Sequence, residues 1–168
     1  WSWSPLFADF DNDGNKDLFI SSGIVKRPMD MDYIRFVSDL QMRGGLDHTD
    51  KYDAVAEEKM PEGSSFPFLF KGSGGAGFED KSEAWGTKGI KGFHTGAAYA
   101  DLDNDGDLDM VMNSIDAPAS VLKNNAPKSD YLSFSFRGDG GNTGGIGAKV
   151  YVFQKEKTQY QQLMLTRG

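Results

Sequence analysis

The sequence contains no cysteine, which excludes a disulfide framework, a thiolate metal site and a cysteine nucleophile together. It has only two histidines, His48 and His94. Neither lies beside a second histidine or a serine-nucleophile motif, and each sits in a polar or glycine-rich stretch, where an exposed loop position is expected. No apolar run approaches the ~18 residues of a membrane-spanning helix, so no transmembrane segment is expected. Nor is there a basic stripe to meet phosphates. Acidic residues number 25 against 18 basic ones, for a formal charge of −7, and that balance argues against nucleic acid as a partner.

What the chain does have is glycine and aromatic residues. Its 168 residues suit one domain, or two small ones sharing a core. The 21 glycines point to many turns and hence to β structure, and 12 Phe, 6 Tyr and 3 Trp supply material for a packed interior. The acidity is local. Nine of the acids fall in two stretches, "FADFDNDGNKDLFIS" from residue 7 and "YADLDNDGDLDMVMN" from residue 99, which align without a gap. Asp9 matches Asp101, Asp11 matches Asp103, Asp13 matches Asp105, Gly14 matches Gly106 and Asp17 matches Asp109.

Crowding like charges into one turn is unfavourable unless something neutralises them. The spacing D-x-D-x-D-G-x-x-D provides for that. Side chains at positions 1, 3, 5 and 9 converge inside a tight turn, a backbone carbonyl at position 7 joins them, and the glycine at position 6 permits the bend. Hard oxygen donors in a flexible cage are what Ca²⁺ selects, whereas Mg²⁺ favours a rigid octahedron with retained waters. The expected ligands are Asp9, Asp11, Asp13 and Asp17 with the Asn15 carbonyl, and Asp101, Asp103, Asp105 and Asp109 with the Asp107 carbonyl. Two Ca²⁺ ions would offset more than half of the formal charge. An EF-hand begins the same way but needs a bidentate Glu at position 12 between two helices. Here position 12 is Ile20 or Met112, each in a strand-like run. The alternative without metal is that the aspartates form Asx-turns in solvated loops. The gap-free duplication favours calcium.

Around the loops, "PLFADF", "DLFIS", "GFHTGAAYADLD", "DMVMNS" and "SVLKNN" read as strands, and "FLFKGSGGAGFED" (68–80) as a hairpin about a glycine turn. Residues 24–65 change texture. Tyr33, Ile34, Val37 and Leu40 recur at helical spacing, with Asp30 or Asp32 as N-cap and Gly44 as the stop. A second helix is expected over 49–60, capped by Thr49 or Asp50 and ended before Pro61. From Tyr131 the pattern predicts three strands, in "YLSFSFRG", "GAKVYVFQ" and "YQQLMLT". The fold class expected is mainly β: antiparallel, propeller-blade-like repeats (a partial β-propeller) with a partly helical insertion and a C-terminal three-stranded segment.

The acidic loop between two strands followed by such a hairpin resembles the FG-GAP or VCBS repeat of calcium-binding β-propellers. The stretch "GAAYADLDNDGDLDMVMNSIDAPASVLKNN" with "YLSFSFRGDGGNTGGIGAKVYVF" resembles the junction between these repeats and an ASPIC/UnbV domain. The resemblance implies two calcium-binding repeats over 1–126, interrupted by the helical insertion at 24–65, and the start of an ASPIC/UnbV-like β segment over 127–168. It also implies a secreted, periplasmic or cell-surface location. A chain that opens on Trp1 and stops at "LMLTRG" is expected to be a piece of a longer protein. With two acidic loops against the four or more blades of a closed propeller, self-association through exposed strand edges is also expected.

Other signals are weaker. "GDGGNTGGIG" (138–147) lacks G-x-G-x-x-G spacing and leads into a strand rather than a helix, so a connector is expected and not a phosphate site. The "RGD" at Arg137 to Asp139 matches an integrin-ligand tripeptide of a kind that arises by chance. No carboxylate pair outside the calcium loops stands out for glycosidase chemistry. Trp1, Trp3, Trp85, Phe93 and Tyr99 are expected to pack in the core, the alternative being stacking on sugars. The function expected is a calcium-stabilised, non-enzymatic, extracytoplasmic module that binds glycan or protein. The alternative is a supporting part of a secreted glycan-active enzyme.

Overall fold

Alternation along the first strand sets the fold's inside and outside. In a computed structural model of the protein, which describes residues 1–44, 50–127, 130–155 and 157–164, strand β1 (Ser2–Ala8) buries Leu6 and Ala8 and leaves Phe7 exposed, as a period of two requires. Strand β2 (Asp17–Ser22) runs antiparallel to it, with Leu6 opposite Phe19. Strands β3 (Phe68–Gly72) and β4 (Phe78–Asp80) complete a four-stranded antiparallel meander in the order β1-β2-β3-β4. Because β2 is paired on both sides, its apolar run is the most deeply buried, and Phe19 has no exposure at all.

The helical segment leaves and re-enters this sheet at one point. Ile24 and Gly63 pair in an isolated antiparallel bridge, each N–H donating to the other's carbonyl at 3.0 and 3.1 Å. Arg27 N–H donates to the Pro61 carbonyl at 2.8 Å. A Cβ on Gly63 would lie 2.6 Å from Ile24 Cγ2, so the close crossing needs glycine. Sealed at its base, the segment lets β2 and β3 pair as if directly joined. Helix α1 (Met31–Met42) is capped by Asp30, whose side chain accepts from the N–H groups of Asp32 and Tyr33. It ends at Arg43, just before Gly44 at φ +67°. Helix α2 (Asp50–Lys59) stops before Pro61 as expected. Thr49 and His48 lie outside the described residues.

A second sheet repeats the pattern. Strands β5 (Gly96–Ala100), β6 (Asp109–Ser114) and β7 (Ala117–Leu122) form an antiparallel meander, the second acidic loop joining β5 to β6 as the first joins β1 to β2. The two sheets share one core: Leu6, Ala8, Phe10, Phe19 and Leu69 from the first pack with Met110 and Met112 from the second. Trp85 and Tyr99 pack partly buried against it, and the Tyr99 ring meets Phe10 edge-on at 6.0 Å.

Three expectations are corrected. "YLSFSFRG" is not a strand. Its residues alternate, but alternation selects only a face, and a strand also needs a partner. Among the described residues none pairs with 131–138, and Leu132 and Phe134 are exposed. The C-terminal segment is therefore a two-stranded hairpin, β8 (Lys149–Gln154) and β9 (Lys157–Gln162), with Tyr151 opposite Tyr160. Trp1 and Trp3 are not in the core: their near-parallel rings are exposed, and Trp3 Nε1 donates to the Gly23 carbonyl at 2.6 Å. His94 is not an exposed loop residue but is buried at 2% exposure, its backbone N–H donating to the Ser22 carbonyl at 3.1 Å and its Nε2 lying 3.3 Å from the Ile90 carbonyl.

Candidate functional site

The two acidic loops share their main carboxylate-to-backbone bonds. In the first, Asp9 accepts from the backbone N–H groups of Asp13 (3.0 Å) and Gly14 (2.8 Å), and Asp13 accepts from Asn15 N–H at 2.8 Å. In the second, Asp101 accepts from Asp105 and Gly106, both at 3.1 Å, and Asp105 accepts from Asp107 at 3.1 Å. The position-6 glycines take φ of +89° (Gly14) and +93° (Gly106), the bend expected of them. Position 4 is also left-handed, Asn12 at +57° and Asn104 at +61°. Asparagine tolerates that region better than most side chains, so the repeated "DNDG" is shape-determined at two places and not one.

Carboxylate oxygens of Asp9, Asp11 and Asp13 lie within 4.8 Å of one another, and so do those of Asp101, Asp103 and Asp109. The donor sets are all hard oxygen, which fits a cation such as Ca²⁺ and does not suit a soft metal. The two groups differ: the first holds position 5 (Asp13) but not position 9, and the second holds position 9 but not position 5 (Asp105), position 9 being Asp17 in one loop and Asp109 in the other. Both are buried, and each spends its two oxygens on backbone donors. Asp17 accepts from Phe10 (2.8 Å) and Gly72 (2.9 Å), and Asp109 from Leu102 (3.0 Å) and Asn124 (2.8 Å). Each carboxylate thereby ties its loop to the third strand of its sheet, Asp17 at the end of β3 and Asp109 two residues past the end of β7. Since each carboxylate oxygen has a second lone pair, this does not exhaust their capacity to bind a cation.

That tie extends the repeat beyond the aligned sequence. Phe70 pairs with Leu18, and Leu122 with Met110. The next residues, Lys71 and Lys123, are therefore structural equivalents, and both reach into the loops. Lys71 Nζ contacts Asp11 and lies 2.7 Å from Asp13. Lys123 Nζ contacts Asp103 and lies 3.6 Å from Asp105. The sequence reading missed both lysines, although "FLFKG" and "SVLKN" carry the signal, an apolar strand end followed by Lys.

The charge pattern is uneven. Burial pushes the Asp9 and Asp17 carboxyls above the usual range, despite the backbone N–H groups that bond them. Burial also acts to raise Asp13, but hydrogen bonds from Lys71 and Asn15 outweigh it and leave that carboxyl low. The Asp103 carboxyl is held low chiefly by the Lys123 hydrogen bond. Lys71 is driven upward by Asp11 first and Asp13 next, and Lys123 by Asp103. Burial thus works against ionisation at Asp9 and Asp17, while the lysines favour it at Asp13 and Asp103.

The loops also touch each other. Asn12 Nδ2 donates to Asp107 Oδ1 at 2.6 Å, and Asn124 Nδ2 donates to the Phe10 carbonyl at 2.6 Å. The Asp107 side chain thus bridges the loops, leaving its carbonyl as the expected position-7 donor. The first loop is the more enclosed, with Gln159 of β9 against Gly14 and Lys157 Nζ donating to the Asp13 carbonyl at 3.2 Å. No helix among the described residues is long and apolar enough to cross a membrane.

Comparison with known proteins reaches only the end of the chain. No curated protein and no solved structure matches it. Residues 138–168, which carry the glycine-rich connector and the β8–β9 hairpin, match the family described as ASPIC and UnbV.

Proposed function

We propose that the chain is a calcium-stabilised, non-enzymatic interaction module from an extracytoplasmic protein, whose ligand is a glycan or a protein. Residues 1–126 are read as two repeats of the FG-GAP/VCBS kind, set before an ASPIC/UnbV segment. The observation that carries the proposal is the duplicated cage. Two loops 92 residues apart (Asp9 to Asp101) repeat the same carboxylate-to-backbone bonds, and each gathers three carboxylates, at positions 1, 3 and 5 in the first and 1, 3 and 9 in the second. The four-stranded antiparallel meander of the first sheet supports the blade reading, since that is the topology of a propeller blade.

In this reading Asp9, Asp11, Asp13 and Asp17 with the Asn15 carbonyl hold one Ca²⁺, and Asp101, Asp103, Asp105 and Asp109 with the Asp107 carbonyl hold the other. The ion supplies positive charge to carboxyls that burial leaves uncomfortable as anions. Binding to the folded state alone then adds to stability. Millimolar calcium outside the cytoplasm suits loops of ordinary affinity. Calorimetric titration tests this directly. The expected result is two Ca²⁺ per chain with Mg²⁺ much weaker, and absence of Ca²⁺ binding at millimolar concentration would refute it.

A further inference from the structure

Each loop already has a positive charge of its own. We infer that Lys71 and Lys123 are built-in counter-cations and that the lysine ammonium and a divalent ion are alternative occupants of each cage. The inference rests on the metal reading above and adds a competitor to it.

Three observations lead there. First, neither lysine belongs to the acidic motif: Lys71 lies 60 residues after Asp11, and Lys123 lies 20 after Asp103. Different connections thus deliver the same side chain to the same place. Secondly, the place is fixed by register. The residue after each lysine, Gly72 or Asn124, donates its N–H to the buried Asp17 or Asp109, so the lysine stem starts at the rim of its loop. Thirdly, each ammonium engages position 3 and approaches position 5, namely Asp11 and Asp13 in one loop and Asp103 and Asp105 in the other. Those are carboxylates a metal would need.

An ammonium and a divalent ion sharing these oxygens would repel at only a few ångströms. A lysine has a flexible stem and can leave. Metal entry therefore exchanges one cation for another, rather than filling a cage of bare anions. The exchange lowers calcium affinity relative to the same loop without the lysine, and it releases a lysine at the end of each third strand. The first loop is the more strongly held, because the Lys71 side chain is 31% exposed where that of Lys123 is 56% exposed.

Two measurements on the full chain test this. Amine-reactive footprinting of the wild type, read by mass spectrometry, compares EDTA with saturating calcium. Lys71 and Lys123 should become several-fold more reactive in calcium, while Lys88, which pairs with Glu83 and touches neither loop, does not change. Calorimetric calcium titration of Lys71→Met and Lys123→Met should show affinity at one site raised by about tenfold in each, equivalent to the removal of about 1.4 kcal/mol of competition, and Lys71→Arg should keep the low affinity. If the wild type binds calcium but footprinting does not change and the Met variants bind equally or more weakly, the lysines support the ligands instead of competing with them, and the inference falls. If the wild type binds no calcium at all, the metal reading itself is what has failed.

Discussion

Asp17 and Asp11 look alike in the motif and do different work in the fold. Asp17 is fully buried and accepts from two backbone N–H groups, Phe10 at the loop's start and Gly72 on β3. Asp11 is partly exposed and meets the mobile end of a lysine. Removing Asp17 leaves buried donors without partners, which costs about 1–3 kcal/mol for each. Urea denaturation should therefore show Asp17→Ala destabilised by about 2–6 kcal/mol in chelator as well as in calcium. Asp11→Ala should lose stability chiefly in calcium. Equal behaviour of the two variants would mean that the buried tie carries no weight. The spacing marked both as ligands, but it carried no sign of Gly72, which is 55 residues further on. The same long-range blindness hid Lys71 and Lys123. The left-handed turns at Gly14 and Gly106, by contrast, were legible because glycine's reason for being there is local.

At the scale of elements, the strands were readable where a hydrophobic pattern coincided with a turn signal, as on either side of both acidic loops. The segment 131–138 had the pattern without a partner, and a partner is not written in local sequence. What joins the two repeats was equally invisible. Asn124 donates from Nδ2 to the Phe10 carbonyl (2.6 Å) and the Leu108 carbonyl (3.3 Å), and its Oδ1 accepts from Ala126 N–H at 3.0 Å. Asn124→Ala should cost about 1–3 kcal/mol, measured by denaturation in chelator so that metal linkage does not mask it. Asn12→Ala breaks the 2.6 Å bond to Asp107, a side-chain link from loop to loop. If the loops are coupled through it, the variant should bind its two Ca²⁺ independently, with any cooperativity of the wild type lost. Unchanged cooperativity in the titration would assign the coupling elsewhere.

Across the whole molecule, one core spans both sheets, with Phe19 from the first and Met112 from the second both at 0% exposure. Phe19→Ala should cost about 3–5 kcal/mol, and the loss should register in both sheets as a single lowered transition, since a shared core unfolds as a unit. Two separate transitions would contradict the shared core. Whether cations hold this fold together through the acidic loops is decided by a thermal melt followed by tryptophan fluorescence in EDTA, in calcium and in magnesium. Trp85, packed against the core, reports loss of the interior. Tm should shift strongly upward in calcium and little in magnesium, since saturation at about a hundred times Kd adds about 2.7 kcal/mol per site. Superimposable melts in all three conditions would contradict a cation-held fold and leave the aspartates as turn formers alone.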